Sequence, residues 1–139
     1  MGMSDYIHKI NYYETDKMGI THHSNYIRFM EEARIEYLEQ IGCGYAGMEE
    51  AGIVSPVIGV ECQYKRPTTF GDEIRIHVEI AEYKRVQLTV AYRMYNNRTE
   101  ELVCEGKSFH CFTNGEGRPI ALSRSFPEYD AILREFAKE

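Results

Sequence analysis

The sequence predicts a single α+β domain, residues 1–139, in which an antiparallel sheet of about five strands wraps around one long central helix. The helix is predicted because apolar residues recur every three or four positions between Tyr26 and Ile41, with mostly charged residues between them. Ser24 or Asn25 is suited to begin this helix, and Gly42 to end it. Later segments alternate apolar with polar residues, which is typical of strands that have one buried face.

The strands follow one another along the chain. Residues 6–13 alternate and predict a short first strand, and residues 14–24 form a turn-rich stretch. After the helix, strands with one buried face are predicted at residues 54–65, 73–80 and 88–94. A hairpin turn at residues 96–99 leads into a last strand at 102–113, with a bulge expected near Gly106, where the apolar residues change face. A final helix is predicted at residues 127–138, with Pro127 at its start.

This order of elements is the hotdog fold. A ferredoxin-like domain also mixes strands with helices, but it needs a second long helix between strands. Residues 54–113 contain no pattern of that kind. The sheet is therefore expected to close over the apolar face of one helix.

Composition limits the function classes. The net charge of −6 gives no broad basic surface, so nucleic acid and anionic membranes are poor candidate partners. No stretch has the length and hydrophobicity of a signal peptide or a membrane span, which favours a cytoplasmic protein. The four cysteines include no C-x-x-C pair, so we expect free thiols and no metal site.

Two segments carry a resemblance to a known family. Residues 12–26, YYETDKMGITHHSNY, resemble the signature of the 4-hydroxybenzoyl-CoA thioesterase family of hotdog proteins. Residues 64–74, YKRPTTFGDEI, are similar to that family's turn of an aromatic residue, proline, then aromatic-Gly-Asp between two strands. The branch that looks closest contains bacterial short-chain acyl-CoA thioesterases, including the one associated with the Tol-Pal system. The resemblance runs from about residue 6 to residue 112.

The resemblance implies hydrolysis of the thioester of an acyl-CoA, with a short-chain or aromatic acyl group. It places the catalytic carboxylate at Asp16, the active-site tyrosine at Tyr12 and the matching histidine at His23. It also implies that a backbone N–H near His23 to Asn25 binds the thioester oxygen, a role that suits the unpaired donors of a helix N-terminus. Asp16 would act as nucleophile or general base, and no cofactor is required beyond the coenzyme A carried by the substrate.

Substrate contacts also follow from the resemblance. Ser55, Pro56 and Val57 align with a segment that lines the acyl and pantetheine channel, and Lys84 and Arg85 align with residues that meet the nucleotide phosphates. Family members form dimers with clefts between subunits, which implies a homodimer or homotetramer. An acyl-carrier protein is an alternative carrier of the acyl group.

The sequence also allows another position for the catalytic carboxylate and two other functions. Another branch of hotdog thioesterases places its carboxylate on the central helix, where this chain has Glu31, Glu32 and Glu36, but Arg28 and Arg34 are spaced to pair with them on a solvated face. A non-catalytic acyl-CoA-binding module is one alternative function. A hotdog hydratase or dehydratase is another, although the interval from Asp16 to His23 differs from its usual pattern.

Overall fold

The computed structural model describes residues 4–137. Its centre is an antiparallel sheet of five strands in the order β1-β3-β4-β5-β2. The strands are β1 (Tyr6–Lys9), β2 (Val57–Tyr64), β3 (Glu73–Lys84), β4 (Gln87–Asn96) and β5 (Leu102–Cys111). The helices are α1 (Asn25–Ile41), α2 (Tyr45–Glu50), α3 (Leu122–Ser125) and α4 (Pro127–Phe136), and Tyr12–Glu14 forms one turn of 3₁₀ helix.

Helix α1 contacts β1, β2 and β3 along its apolar face. Its buried residues recur at three- and four-residue spacings, from Tyr26 and Phe29 to Ile41, and they pack against inward-facing residues of β3 and β4. The helix ends at Gly42, whose φ of 99° is left-handed and therefore favours glycine. The packing of this face against the sheet supplies most of the hydrophobic core.

The long helix, the five antiparallel strands and the hairpin turn at residues 96–99 are confirmed. The prediction of one long central helix holds only in part, because the short helices α2 and α3 were not predicted. The predicted final helix is present as α4, which has ten residues. Pro127 stands in the first turn of α4, as expected, and residue 138 lies outside the described residues.

The end of the first strand and the position of the β5 bulge were predicted wrongly. The first strand ends at Lys9 because the Glu14 carboxylate accepts a hydrogen bond from the Asn11 backbone N–H at 2.8 Å, which caps the 3₁₀ turn. The bulge in β5 is at Val103 and not at Gly106, since Met94 pairs with Cys104 and Tyr95 with Leu102. Val103 and Cys104 are therefore consecutive buried residues.

Strand β2 differs most from its prediction. A buried face was expected, yet Ile58 and Val60, two residues of that predicted face, are 55% and 41% exposed. The reason is the position of β2 at the edge of the sheet, where β5 is its only neighbouring strand among residues 4–137. The chain thus presents an apolar strand edge to its surroundings.

No helix in residues 4–137 has the length and apolar character needed to cross a membrane. The same part of the chain holds no group of three or more His, Cys, Asp or Glu side chains that could bind a metal ion.

Gly106 allows the close approach of α1 to the sheet. A Cβ atom there would collide with the Met30 methyl group and with the Glu61 backbone oxygen. We expect Gly106→Ala to lower the free energy of unfolding by about 1–3 kcal/mol, because the backbone oxygen is unable to move aside. Urea denaturation measures the change. Gly115→Ala is the matched control, since nothing lies within 4 Å of its added methyl group; equal stability loss in both variants would contradict the assignment.

Candidate active site

Asp16 lies in a tight turn just ahead of α1. Its backbone N–H donates to the Ile20 oxygen at 2.9 Å, and the Gly19 N–H donates to the Asp16 oxygen at 2.9 Å. Gly19 has a φ of 80°, a conformation that glycine adopts without strain. The Met18 N–H donates to Asp16 Oδ1 at 2.9 Å. Among the described residues nothing hydrogen-bonds to Oδ2, so one carboxylate oxygen is available for chemistry.

A buried hydroxyl cluster holds this turn in place. Thr68 Oγ1 lies 2.7 Å from Thr21 Oγ1 and 2.8 Å from the Tyr26 hydroxyl. The Thr21 N–H also donates to the Thr68 oxygen at 2.8 Å, and Thr69 Oγ1 donates to the Gly19 oxygen at 2.7 Å. The cluster therefore joins the Asp16 turn, the first turn of α1 and the β2–β3 connection.

The start of α1 is fixed from two further sides. Asn25 Nδ2 donates to the Glu14 backbone oxygen at 2.9 Å, and the Tyr64 hydroxyl donates to the His23 oxygen at 3.1 Å. Ser24 makes no side-chain cap. Its N–H donates to His22 Nδ1, and the Asn25 N–H donates to the His22 oxygen at 3.0 Å. Of the three amides implicated by the sequence, only that of His23 has no acceptor within residues 4–137.

Asp16 and His23 line one cleft of about 390 Å³. Tyr26 and Tyr64 form its aromatic wall, with ring centroids 5.4 Å apart. Burial raises the pKa of Tyr26, and burial together with Cys62 raises the pKa of Tyr64 to about 12, so both phenols keep their protons at neutral pH. The full lining is Asp16, Met18, Ile20, Thr21, His23, Tyr26, Tyr64, Lys65, Arg66 and Pro67.

Sequence reasoning did not assign Lys65 and Arg66 to the site. Lys65 is paired with Glu105 and Arg66 with Glu101, each at the long distance of 3.7 Å. The side chains of Lys65 and Arg66 are both exposed. They give the acidic chain a local positive edge beside the Asp16 cleft. The signal was present in the second family-like segment, which begins Tyr64-Lys65-Arg66.

Tyr12 lies apart from this cleft. Its side chain is 77% exposed, and its ring packs edge-on against Phe70 at 5.8 Å between centroids. The 3₁₀ turn that replaces the predicted strand end redirects it. Its assignment as an active-site residue stays a prediction.

The predicted substrate contacts lie at the opposite end of the sheet. Ser55, Pro56 and Val57 line a second cleft of about 300 Å³ together with Arg34 and Tyr45. The β3–β4 hairpin, which contains Lys84 and Arg85, lies at this same end of the sheet. Lys84 pairs with Gln87, and Gln87 pairs with Cys111 of β5. Val57 pairs with His110, the residue before Cys111. Within one chain these residues do not meet Asp16.

Residues 10–135 match the model of the thioesterase-like superfamily. The chain belongs to this superfamily. It is 31% identical over 130 residues to YneP of Bacillus subtilis, with 94% of each chain covered. It is 25% identical to the acyl-CoA thioesterase YbgC of Haemophilus influenzae, with 84% of this chain and 85% of that one covered.

The hotdog prediction is supported by a solved structure, the DHNA-CoA thioesterase of Staphylococcus aureus, which superposes with a TM-score of 0.89 at 30% identity and covers 95% of this chain and 89% of its own. The expectation of a thioesterase is thus confirmed at the level of the superfamily. The finer assignment to the 4-hydroxybenzoyl-CoA or Tol-Pal branch stays a prediction.

Thr68→Val tests whether the hydroxyl cluster holds the site of this superfamily member together. The variant leaves the buried Thr21 and Tyr26 hydroxyls without their shared partner, so we expect a loss of about 1–3 kcal/mol in the free energy of unfolding. Thr89→Val is the control, because the Thr89 hydroxyl makes no hydrogen bond within residues 4–137; it should change stability by less than about 0.5 kcal/mol. Matching losses measured by urea denaturation would refute the role of the cluster.

Proposed function

We propose that this protein hydrolyses the thioester bond of an acyl-CoA, with Asp16 as the catalytic carboxylate. The observation that carries the proposal is that Asp16 and His23 line one cleft. Among residues 4–137, Asp16 Oδ2 accepts no hydrogen bond and the His23 backbone N–H has no acceptor. Membership of the thioesterase-like superfamily supports the reaction class.

Thioester cleavage needs a group that attacks the carbon or activates water, and a donor that stabilises the negative charge on the oxygen. The Asp16 carboxylate suits the first role and the His23 backbone N–H the second. The carboxylate either attacks the thioester carbon directly, forming a mixed anhydride, or removes a proton from an attacking water. In both routes negative charge develops on the thioester oxygen. The His23 N–H, at the positive end of the α1 dipole, is suited to donate a hydrogen bond to that oxygen.

The complete site is proposed to form between two copies of the chain. Strand β2 has an unpaired edge and exposed apolar residues, including Val57, Ile58 and Val60. Antiparallel pairing of β2 with its copy reverses the strand direction, so the start of one strand lies beside the end of the other. The partner's Ser55 and the partner's Val57 would then approach the cleft at Tyr64.

This arrangement accounts for the separation of the predicted contacts. Asp16 and His23 supply the reacting groups from one subunit, and the second cleft of the other subunit receives the acyl group. Lys65 and Arg66 at the cleft edge, with Lys84 and Arg85 of the hairpin, are the cations proposed for the nucleotide phosphates. The S. aureus relative acts on DHNA-CoA by its name, which makes an aromatic acyl group a candidate beside short chains.

Asp16→Asn removes the charge but keeps an oxygen to accept the Met18 N–H bond. We expect thiol release from acyl-CoA to fall by a factor of about 10²–10⁴ with an unchanged circular dichroism spectrum, because neither route works with a neutral amide. Asp72→Asn is a closely matched control, since Asp72 Oδ2 accepts the Thr69 N–H bond in a turn at the same 2.9 Å. Near-normal turnover by Asp16→Asn, or an equal loss in Asp72→Asn, would refute the assignment.

Val60→Lys tests the proposed β2 interface. The added charge at the centre of two facing strands should halve the molar mass measured by light scattering, and activity should fall with it. Ile7→Lys is the control, because Ile7 is 44% exposed on β1 at the opposite edge of the sheet, against 41% for Val60 on β2. A monomeric wild type, or a Val60→Lys protein that keeps both mass and activity, would contradict the shared site.

A further inference from the structure

Two cysteine thiols meet where β2 pairs with β5. Cys62 Sγ lies 3.4 Å from Cys104 Sγ. Cys62 stands opposite Gly106 and Tyr64 stands opposite Cys104, so the two thiols are diagonal neighbours on one face of the sheet. Gly106 has no side chain, which leaves the thiols free to touch.

The two thiols differ in their surroundings. Cys104 is fully buried, whereas Cys62 is partly exposed. The hydrogen bond from the Cys104 thiol lowers the pKa of Cys62 to about 7, with Tyr64 adding to this against the opposing effect of burial. The same contact, with burial, raises the pKa of Cys104. Near neutral pH, one thiol is therefore partly ionised beside another that keeps its proton.

The remaining two cysteines lack this arrangement. Cys43 is buried, and burial raises its pKa to about 11, which makes the thiol unreactive at neutral pH. Cys111 is half-buried and has no sulfur neighbour among the described residues. They serve as internal controls for reactivity at the Cys62–Cys104 pair.

We propose that Cys62 and Cys104 form an oxidation site, at which a peroxide converts the two thiols to an intramolecular disulfide that small thiols reduce again. The Cys62 thiolate attacks one oxygen of hydrogen peroxide and breaks the O–O bond, giving a sulfenic acid and hydroxide, which takes up a proton to become water. The Cys104 sulfur then attacks the Cys62 sulfur and loses its proton. Hydroxide leaves from Cys62 and combines with that proton, so two thiols lose two electrons and the peroxide becomes two waters.

The position of the pair connects oxidation to the cleft. Bond formation draws Cys62 toward Cys104 and moves the adjoining part of β2 with it. Tyr64 follows Cys62 by two residues, lines the Asp16 cleft and donates to the His23 oxygen. Oxidation therefore shifts a wall of the cleft. Cys62 is only partly buried, which leaves its sulfur accessible to a molecule as small as hydrogen peroxide.

The experiment treats the full-length protein with hydrogen peroxide, alkylates the remaining thiols and maps the peptides without reduction by mass spectrometry. The expected result is a Cys62–Cys104 cross-link within one chain that dithiothreitol removes, with Cys43 and Cys111 alkylated. Oxidation should slow about fivefold from pH 7 to pH 6, because the thiolate fraction of Cys62 falls from about one half to about one tenth. No cross-link, a cross-link only between chains, or equal oxidation of Cys111 would overturn the proposal.

Two variants separate the steps. Cys62→Ser should leave Cys104 unoxidised, and Cys104→Ala should leave Cys62 as a sulfenic acid that dimedone traps, formed more slowly because the thiol hydrogen bond is lost. Cys111→Ser should oxidise like the wild type. Cross-link mapping needs no catalytic activity, so its outcome is independent of the proposed thioesterase function. An oxidised protein with unchanged kcat/KM would refute the connection to the cleft.

Discussion

The site depends on one buried contact, the hydroxyl cluster of Thr21, Tyr26 and Thr68. These side chains come from three separate parts of the chain, and each would be costly to bury without the others. Because Thr68 Oγ1 contacts both of the other hydroxyls, the cluster sets the position of the Asp16 turn relative to the start of α1. The carboxylate and the His23 amide then take their places without direct contact with each other.

The exposed edge of β2 is the second constraint. Ordinary folded domains cover or charge such edges, yet this one presents Val57, Ile58 and Val60. A copy of the same strand is the simplest cover, and its reversed direction joins two clefts that lie at opposite ends of one sheet. Cys62, whose sulfur lies beside that of Cys104, is on the same strand two residues before Tyr64 of the Asp16 cleft.

Periodicity alone was enough to predict α1 and the inward faces of β3 and β4, because burial there follows a regular repeat. It failed where local hydrogen bonds or missing neighbours decide the structure, as at the Glu14-capped 3₁₀ turn and at β2. Asp16 and His23 were located by resemblance to a family, and the structure brings them to one cleft. Lys65 and Arg66 were missed because the matched turn is defined by its aromatic, proline, glycine and aspartate residues, and the two cations are not part of that pattern.

Thiol release from a panel of acyl-CoA substrates decides whether this protein hydrolyses thioesters. The panel contains saturated short-chain, aromatic and enoyl thioesters, each followed both by free coenzyme A and by the absorbance of the acyl group. If Asp16 catalyses thioester hydrolysis, saturated or aromatic substrates release coenzyme A together with one free acid for each thiol. Tight binding of these thioesters without thiol release would indicate a binding module, and loss of the enoyl absorbance without thiol release would indicate a hydratase; either result would contradict the account.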